Sequence, residues 1–143
     1  MDEMELPDAL HEQISDLCEQ GDELAESGDY PAALVEYRQA WELIPQPKEN
    51  WEAATWVLAA IADALYLSGD LAAARDTLEH AMHCPDALGN PFLHLRLGQV
   101  LFDSGAPDQA ADQLMRAYMG AGAAIFAEED PRYLAFLGTR AQL

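Results

Sequence analysis

Basic residues are scarce in this chain. Its 143 residues include 7 Lys or Arg against 26 Asp or Glu, which gives a net charge of −19. Binding to a nucleic-acid backbone depends on Lys and Arg that displace counterions, so we expect no nucleic-acid partner. The same charge disfavours an anionic membrane surface. It favours a basic protein partner, because opposite charges attract and steer encounter.

Cysteines are few, and the sequence shows no long apolar run and no pattern typical of a secretion signal. The only cysteines are Cys18 and Cys84, and residues 1–13 have neither a basic start nor an apolar run. Both features are typical of a protein of the reducing cytoplasm, where we expect this one. The most apolar stretch, residues 51–67, carries two carboxylates. It is too short and too charged for a membrane span and predicts a buried helix instead.

Sequence motifs of catalysis are absent. The chain contains no G-x-S-x-G, no G-x-x-x-x-G-K-[ST] and no H-E-x-x-H, and these are the patterns that place a nucleophile, a phosphate or a catalytic zinc. With 26 Asp or Glu in 143 residues, carboxylates that lie close together in the sequence are explained by chance and do not indicate an acid–base pair. We therefore expect no catalytic residue, no enzymatic activity and no cofactor.

One metal-like cluster stands out. His80, His83 and Cys84 have the spacing of ligands on one helical turn. A structural zinc site normally needs four ligands, and no second cluster supplies the rest. We expect these histidines to lie at a helix end, where they interact with the helix dipole; a metal site is the weaker alternative.

Small residues recur at matched offsets in three places. Gly28, Gly69 and Gly105 are each followed by Ala after five residues, by a large apolar residue after nine and by Ala after twelve. A small residue lets two helices approach closely, while the large residue fills the space beside the crossing. The glycine itself ends the first helix of each pair, where a positive φ is needed. No stretch alternates with a period of two, so we predict an all-α protein.

This pattern resembles the tetratricopeptide repeat (TPR), a helix–turn–helix unit of about 34 residues. The resemblance implies a TPR helix–turn–helix solenoid of seven helices that forms one domain, residues 1–143. Residues 48–54 are expected to be an insertion that lengthens the following helix. The expected repeats are about 14–47, 55–88 and 91–124, with a capping helix at about 131–140.

In TPR proteins the first helix of each pair lines the concave side, so the resemblance also implies a groove. TPR proteins that bind chaperone C-terminal carboxylates use Lys, Arg and Asn in that groove, and this chain lacks them there. Its groove would instead present aromatic side chains and carboxylates to a basic segment. For each aromatic, packing between helices is an equal alternative. The predicted partner-binding residues are Asp22, Glu26, Trp56, Asp63, Tyr66, Phe92, Gln99 and Phe102.

The first thirty residues are acidic throughout. They contain eleven Asp or Glu and no Lys or Arg. A solvated face that keeps the protein soluble is one interpretation. A docking surface for a cationic partner is the other, and it is favoured because ordinary solvated faces mix charges of both signs.

Two stretches, residues 90–99 and 117–131, resemble small acidic bacterial TPR proteins associated with polymorphic (Rhs-type) toxin loci. That resemblance implies an immunity protein that binds and neutralises a cationic toxin domain. The alternative is a secretion chaperone or assembly adaptor that holds a partner segment in the groove. A homodimer through exposed aromatics at the end of the solenoid is also left open.

Overall fold

All regular structure is helical in the computed structural model, which describes residues 6–143. No strand occurs between residues 6 and 143, in agreement with the absence of a period of two. Short 3₁₀ turns cover Lys48–Asn50 and Ala123–Phe126. The α-helices of this range are α1 Asp8–Glu26, α2 Tyr30–Leu43, α3 Glu52–Leu67, α4 Leu71–Ala81, α5 Pro91–Asp103, α6 Pro107–Ala121 and α7 Pro131–Gly138.

The chain divides into two compact units. The N-terminal unit ends at Leu88 and contains α1 to α4, and the C-terminal unit, Gly89–Leu143, contains α5 to α7. Within the N-terminal unit α1 packs on α2 and α3, and α3 packs on α4. Within the C-terminal unit α5 and α6 form the main helix pair, and α7 packs against α6.

Three helices end in the same way. Gly28, Gly69 and Gly105 have φ of 86°, 91° and 83°. In each case the next residue donates its backbone N–H to the carbonyl five residues earlier, at 2.9 Å, and the glycine donates to the carbonyl three residues earlier. This is the Schellman arrangement, which satisfies the last carbonyls of a helix and needs a residue that adopts positive φ without strain. The predicted role of these glycines is confirmed.

Side-chain caps begin α2, α4, α5 and α7. Asp29 accepts a hydrogen bond from the backbone N–H of Ala32 at 3.2 Å, and Asp70 repeats this arrangement at α4. Asn90 and Asp130 cap α5 and α7, each directly before a proline. These caps satisfy backbone donors that a helix leaves unpaired at its first turn.

The predicted close approach between paired helices is present in both units. A Cβ built on Gly21 would lie 2.4 Å from the ring of Tyr37, and one built on Gly98 would lie 2.7 Å from Cγ of Leu114. Both large residues are buried. In the C-terminal unit the core continues into α7, which contributes Tyr133 and Leu137.

The segment after α2 differs from its prediction. Residues 48–50 form a separate 3₁₀ turn, and only residues 52–54 lengthen α3. The Lys48 ammonium donates to the carbonyls of Trp41 at 2.9 Å and Ile44 at 2.7 Å. The segment therefore caps the C-terminus of α2, where a cation is favoured by the helix dipole.

Candidate acidic binding surface

Two predicted site residues meet around Tyr37 in the N-terminal unit. The Tyr37 hydroxyl donates a hydrogen bond to Oδ1 of Asp22 at 2.6 Å. Burial and this carboxylate raise the pKa of Tyr37 well above its ordinary value, and Asp63 acts in the same direction. The carboxylates of Asp22 on α1 and Asp63 on α3 thus both act on the pKa of Tyr37. Burial and then Asp22 also raise the pKa of Cys18 from 9.0 to about 11.

Two predicted aromatic residues, Trp56 and Tyr66, lie on α3. Trp56 and Tyr66 are both partly buried, so each keeps some surface for a partner. The Trp56 indole meets the His11 ring of α1 edge-on, with centroids 6.1 Å apart. Glu26 is fully at the surface near the end of α1. The five predicted residues of the first two repeats are therefore carried by two packed helices, α1 and α3.

A longer feature runs along α1 that residue-by-residue prediction missed. Its carboxylates follow one another at intervals of three or four residues, and all are exposed. At about 100° per residue they fall within an arc of about 80° and extend over about 27 Å. The signal was the spacing itself, which indicates one helix face once the helix limits are known. This set, called the acidic stripe below, comprises Asp8, Glu12, Asp16, Glu19, Glu23 and Glu26.

The acidic stripe has no internal counterion. Within residues 6–143 none of its members forms an ion pair. The residues up to Leu88 contain 3 Lys or Arg against 20 Asp or Glu, a net charge of −17. Those from Gly89 onward contain 4 against 6, a net charge of −2. Nearly all the excess charge therefore belongs to the N-terminal unit.

The three predicted residues of the C-terminal unit are placed differently from one another. Phe92 is exposed on the first turn of α5, with the Arg96 guanidinium 5.4 Å from its ring centroid. Phe102 is partly covered by α7, because it packs on Tyr133 and Phe136 at centroid distances of 5.7 and 4.7 Å. The capping helix thus occupies part of the face that α5 was expected to offer.

Gln99 does not have the exposure that a partner contact requires. It is 0% exposed. Its amide nitrogen donates to Oε1 of Glu129 at 2.7 Å, and its amide oxygen accepts from Arg96 at 2.7 Å. A buried amide must satisfy its hydrogen bonds internally, so its role is to hold the segment after α6 against α5. Gln99 is therefore not part of the candidate surface.

Two members of the predicted histidine–cysteine cluster have contacts within the N-terminal unit or are buried there. His80 Nε2 lies 2.9 Å from Oε1 of Glu49 and its ring meets Trp41 edge-on, while Cys84 is buried. In the described residues no three His, Cys, Asp or Glu side chains are grouped to hold a metal ion.

None of the helices in the described part of the chain has both the length and the apolar character that a membrane crossing requires.

Solved structures with similar folds include peptide-binding and repeat proteins. The Yersinia enterocolitica type III secretion chaperone SycD, in complex with a peptide of the translocator YopD, matches with a TM-score of 0.71 at 14% identity, over 96% of this chain and 95% of that chain. The C-terminal TPR-containing domain of a Plasmodium falciparum FK506-binding protein matches with a TM-score of 0.69 at 15% identity, over 91% of this chain and 87% of that chain. A further structure of Yersinia enterocolitica SycD matches with a TM-score of 0.69 at 14% identity, over 90% of this chain and 90% of that chain.

The fold is that of a TPR protein. The predicted fold class, an all-α TPR helix–turn–helix solenoid with a C-terminal capping helix, is thereby confirmed. No family model matches the sequence, and no curated protein matches it significantly. In a TPR protein each repeat is a pair of helices, and α1 and α3 are the first helices of their pairs. The predicted groove residues come from such first helices.

The raised pKa values around Tyr37 predict a loss of stability at alkaline pH. A group whose pKa is higher in the folded chain stabilises the fold below its unfolded pKa, and that contribution is lost as the pH rises above it. Unfolding by urea, followed by circular dichroism, should therefore show stability decreasing above about pH 9 to 10. Tyr37→Phe should cost about 1 kcal/mol at pH 7 and make the alkaline decrease shallower.

Tyr30→Phe is the matched control for this experiment. Its hydroxyl has no hydrogen-bond partner among residues 6–143, so its removal should cost less stability at pH 7 than Tyr37→Phe does. An equally steep alkaline decrease in the Tyr37→Phe protein would contradict the assignment.

Proposed function

We propose that this protein is a protein-interaction module that binds a basic partner protein through α1 and α3 of the N-terminal unit. The acidic stripe is the observation that carries the proposal. Six exposed carboxylates lie on one face of α1, a helix that also carries Asp22 and that packs on α3, the helix of Trp56 and Asp63. Aromatic surface and uncompensated charge together suit Lys- and Arg-rich segments.

The stripe is costly to the helix that carries it. Like charges at intervals of three or four residues destabilise a helix by about 0.2–0.5 kcal/mol for each pair. Glu23 and Glu26 also lie in the last turn of α1, which has no basic residue. Carboxylates there oppose the helix dipole. A bound cationic segment would relieve both costs, which gives a physical reason for a partner.

The C-terminal unit offers an internal contrast. On α6 Asp112 is paired with Arg116 at 3.2 Å, an ordinary exposed ion pair four residues apart. Exposed faces in this chain are thus able to mix charges, and α1 does not. That contrast supports docking over mere solubility as the role of the acidic stripe.

Two forms of partner fit this surface. The first is a folded cationic toxin domain, which would make the protein an immunity protein acting in the cytoplasm. The charge of the N-terminal unit and the resemblance of residues 90–99 and 117–131 support it. The second is an extended segment, which would make it a secretion chaperone or adaptor. The similarity to a secretion chaperone whose structure was solved in complex with a peptide favours this second form.

A pull-down from the native cell at low salt, followed by titration, tests the proposal. We expect a basic partner whose association rate falls steeply as salt rises, because screening shortens the range of steering. If only the folded partner domain binds, the immunity role is supported. If a short unfolded segment of the partner binds with the same affinity as the folded domain, the chaperone role is supported. Sedimentation of the free protein shows whether it is a homodimer. An acidic partner, or association that is insensitive to salt, would refute the proposal.

A further inference from the structure

A concave pocket, distinct from the acidic stripe, lies in the N-terminal unit between α2, α3 and α4. It is a pocket of about 370 Å³, within the range of pockets that bind small groups. Leu58 and Ile61 of α3 form its apolar part together with Trp41 of α2. Its polar lining comprises Arg38, Glu42, Asp76, Thr77 and His80.

This pocket is on the other side of α3 from the proposed acidic surface. At about 100° per residue, Leu58 and Ile61 lie roughly opposite Trp56 and Asp63 on the helix. Their partners confirm this, since Trp56 contacts α1 while Leu58 and Ile61 face residues of α2 and α4. A ligand of the pocket therefore does not compete for the acidic stripe.

Three charges line the pocket without being neutralised by one another. Arg38, Glu42 and Asp76 form no ion pair within the described residues 6–143. The remaining six Lys and Arg of the chain all have a carboxylate or backbone carbonyl partner. Arg38 thus differs from every other cation, and it borders a cavity that also holds two carboxylates.

The shape of the pocket is fixed by its neighbours. Trp41 is held by the His80 ring, with centroids 5.5 Å apart, and by the Lys48 ammonium 5.4 Å from its centroid. His80 is held in turn by Glu49, and Thr77 donates its hydroxyl to the carbonyl of Ala73 at 2.8 Å. These contacts hold the part of the lining formed by Trp41, Thr77 and His80, so binding requires less ordering of those side chains.

We propose that this pocket binds an arginine side chain of a protein segment, at a site separate from the acidic stripe. The aliphatic stem of arginine packs on Leu58, Ile61 and Trp41, and its guanidinium pairs with Glu42 and Asp76. A planar guanidinium suits two carboxylates because it donates from several directions at once. Arg38 donates a hydrogen bond to an acidic residue of the bound segment that is adjacent to its arginine. At that adjacent position, Arg38 disfavours a second basic residue.

The test uses blocked dipeptides and the indole N–H signal of Trp41 in two-dimensional NMR, assigned with Trp41→Phe. Acetyl-Asp-Arg-amide should shift this signal in a saturable manner at millimolar concentration. The citrulline analogue, which has the same shape without the charge, should bind at least about tenfold more weakly. Replacing the Asp of the peptide with Ala should also weaken binding, through loss of the contact with Arg38.

The matched variants separate this site from general charge effects. Glu42→Gln with Asp76→Asn should weaken binding at least about tenfold. Glu36→Gln with Glu52→Gln removes the same charge outside the pocket and should have little effect. The proposal would be overturned if affinity stayed the same in the Glu42→Gln, Asp76→Asn protein, or if it fell equally in the control protein. Tighter binding of a peptide with Glu in place of Arg would also overturn it. Absence of any Trp41 shift would do so too. All these outcomes are independent of whether the acidic stripe binds a partner.

Discussion

Gly21→Ala is expected to lower the free energy of unfolding of the N-terminal unit by about 1–3 kcal/mol. The added methyl group would lie 2.4 to 2.9 Å from three ring atoms of Tyr37. That ring is only 3% exposed and its hydroxyl is bonded to Asp22, so it has little freedom to move aside. Either α1 and α2 separate or the bond to Asp22 is lost. Urea unfolding followed by circular dichroism measures the loss.

Gly138→Ala is the control for this substitution. A methyl group at Gly138 would meet only Cδ1 of Leu143, at an ordinary 4.0 Å, and the residue belongs to α7. Alanine is a better helix former than glycine, so we expect no loss of stability and a small gain. Equal stability of Gly21→Ala and wild type would mean that the helices do not depend on a small residue at their crossing.

Reversing part of the acidic stripe should weaken binding of the basic partner by about 100-fold at low salt. The variant replaces Glu19, Glu23 and Glu26 with Lys. These side chains are exposed, and within residues 6–143 they form no ion pair. The new lysines lie near the C-terminus of α1, where cations interact favourably with the helix dipole. The free energy of unfolding should therefore be unchanged or higher. Loss of binding without loss of stability is therefore the expected result.

The matched control changes the net charge equally. Glu36→Lys, Glu52→Lys and Glu128→Lys together also raise the charge from −19 to −13, but outside the stripe. Calorimetric titration should show a decrease in affinity of less than about tenfold for this protein. If both triple variants lose affinity equally, the partner responds to net charge, and the proposed surface on α1 is wrong.

Sequence pattern was sufficient for the fold because TPR-like packing depends on local, repeated rules. A glycine that ends a helix, an aspartate that caps the next and a small residue at each crossing are all visible as spacing. The start of α3 was harder to place. Residues 48–50 leave the helical path because Lys48 bonds to carbonyls at the end of α2, a contact between residues that no helical period relates.

For the candidate site, the amino-acid sequence alone determined the net charge, the lack of Lys and Arg in the first thirty residues and the residues that α1 and α3 would offer. Only the tertiary structure decided which of them stay accessible. Gln99 is buried against Glu129, Phe102 is partly covered by α7, and Asp22 is tied to Tyr37. The pocket beside Arg38 also required three helices to be packed together before it existed. Helical periodicity shows which residues share a face, but burial depends on what distant segments place upon that face.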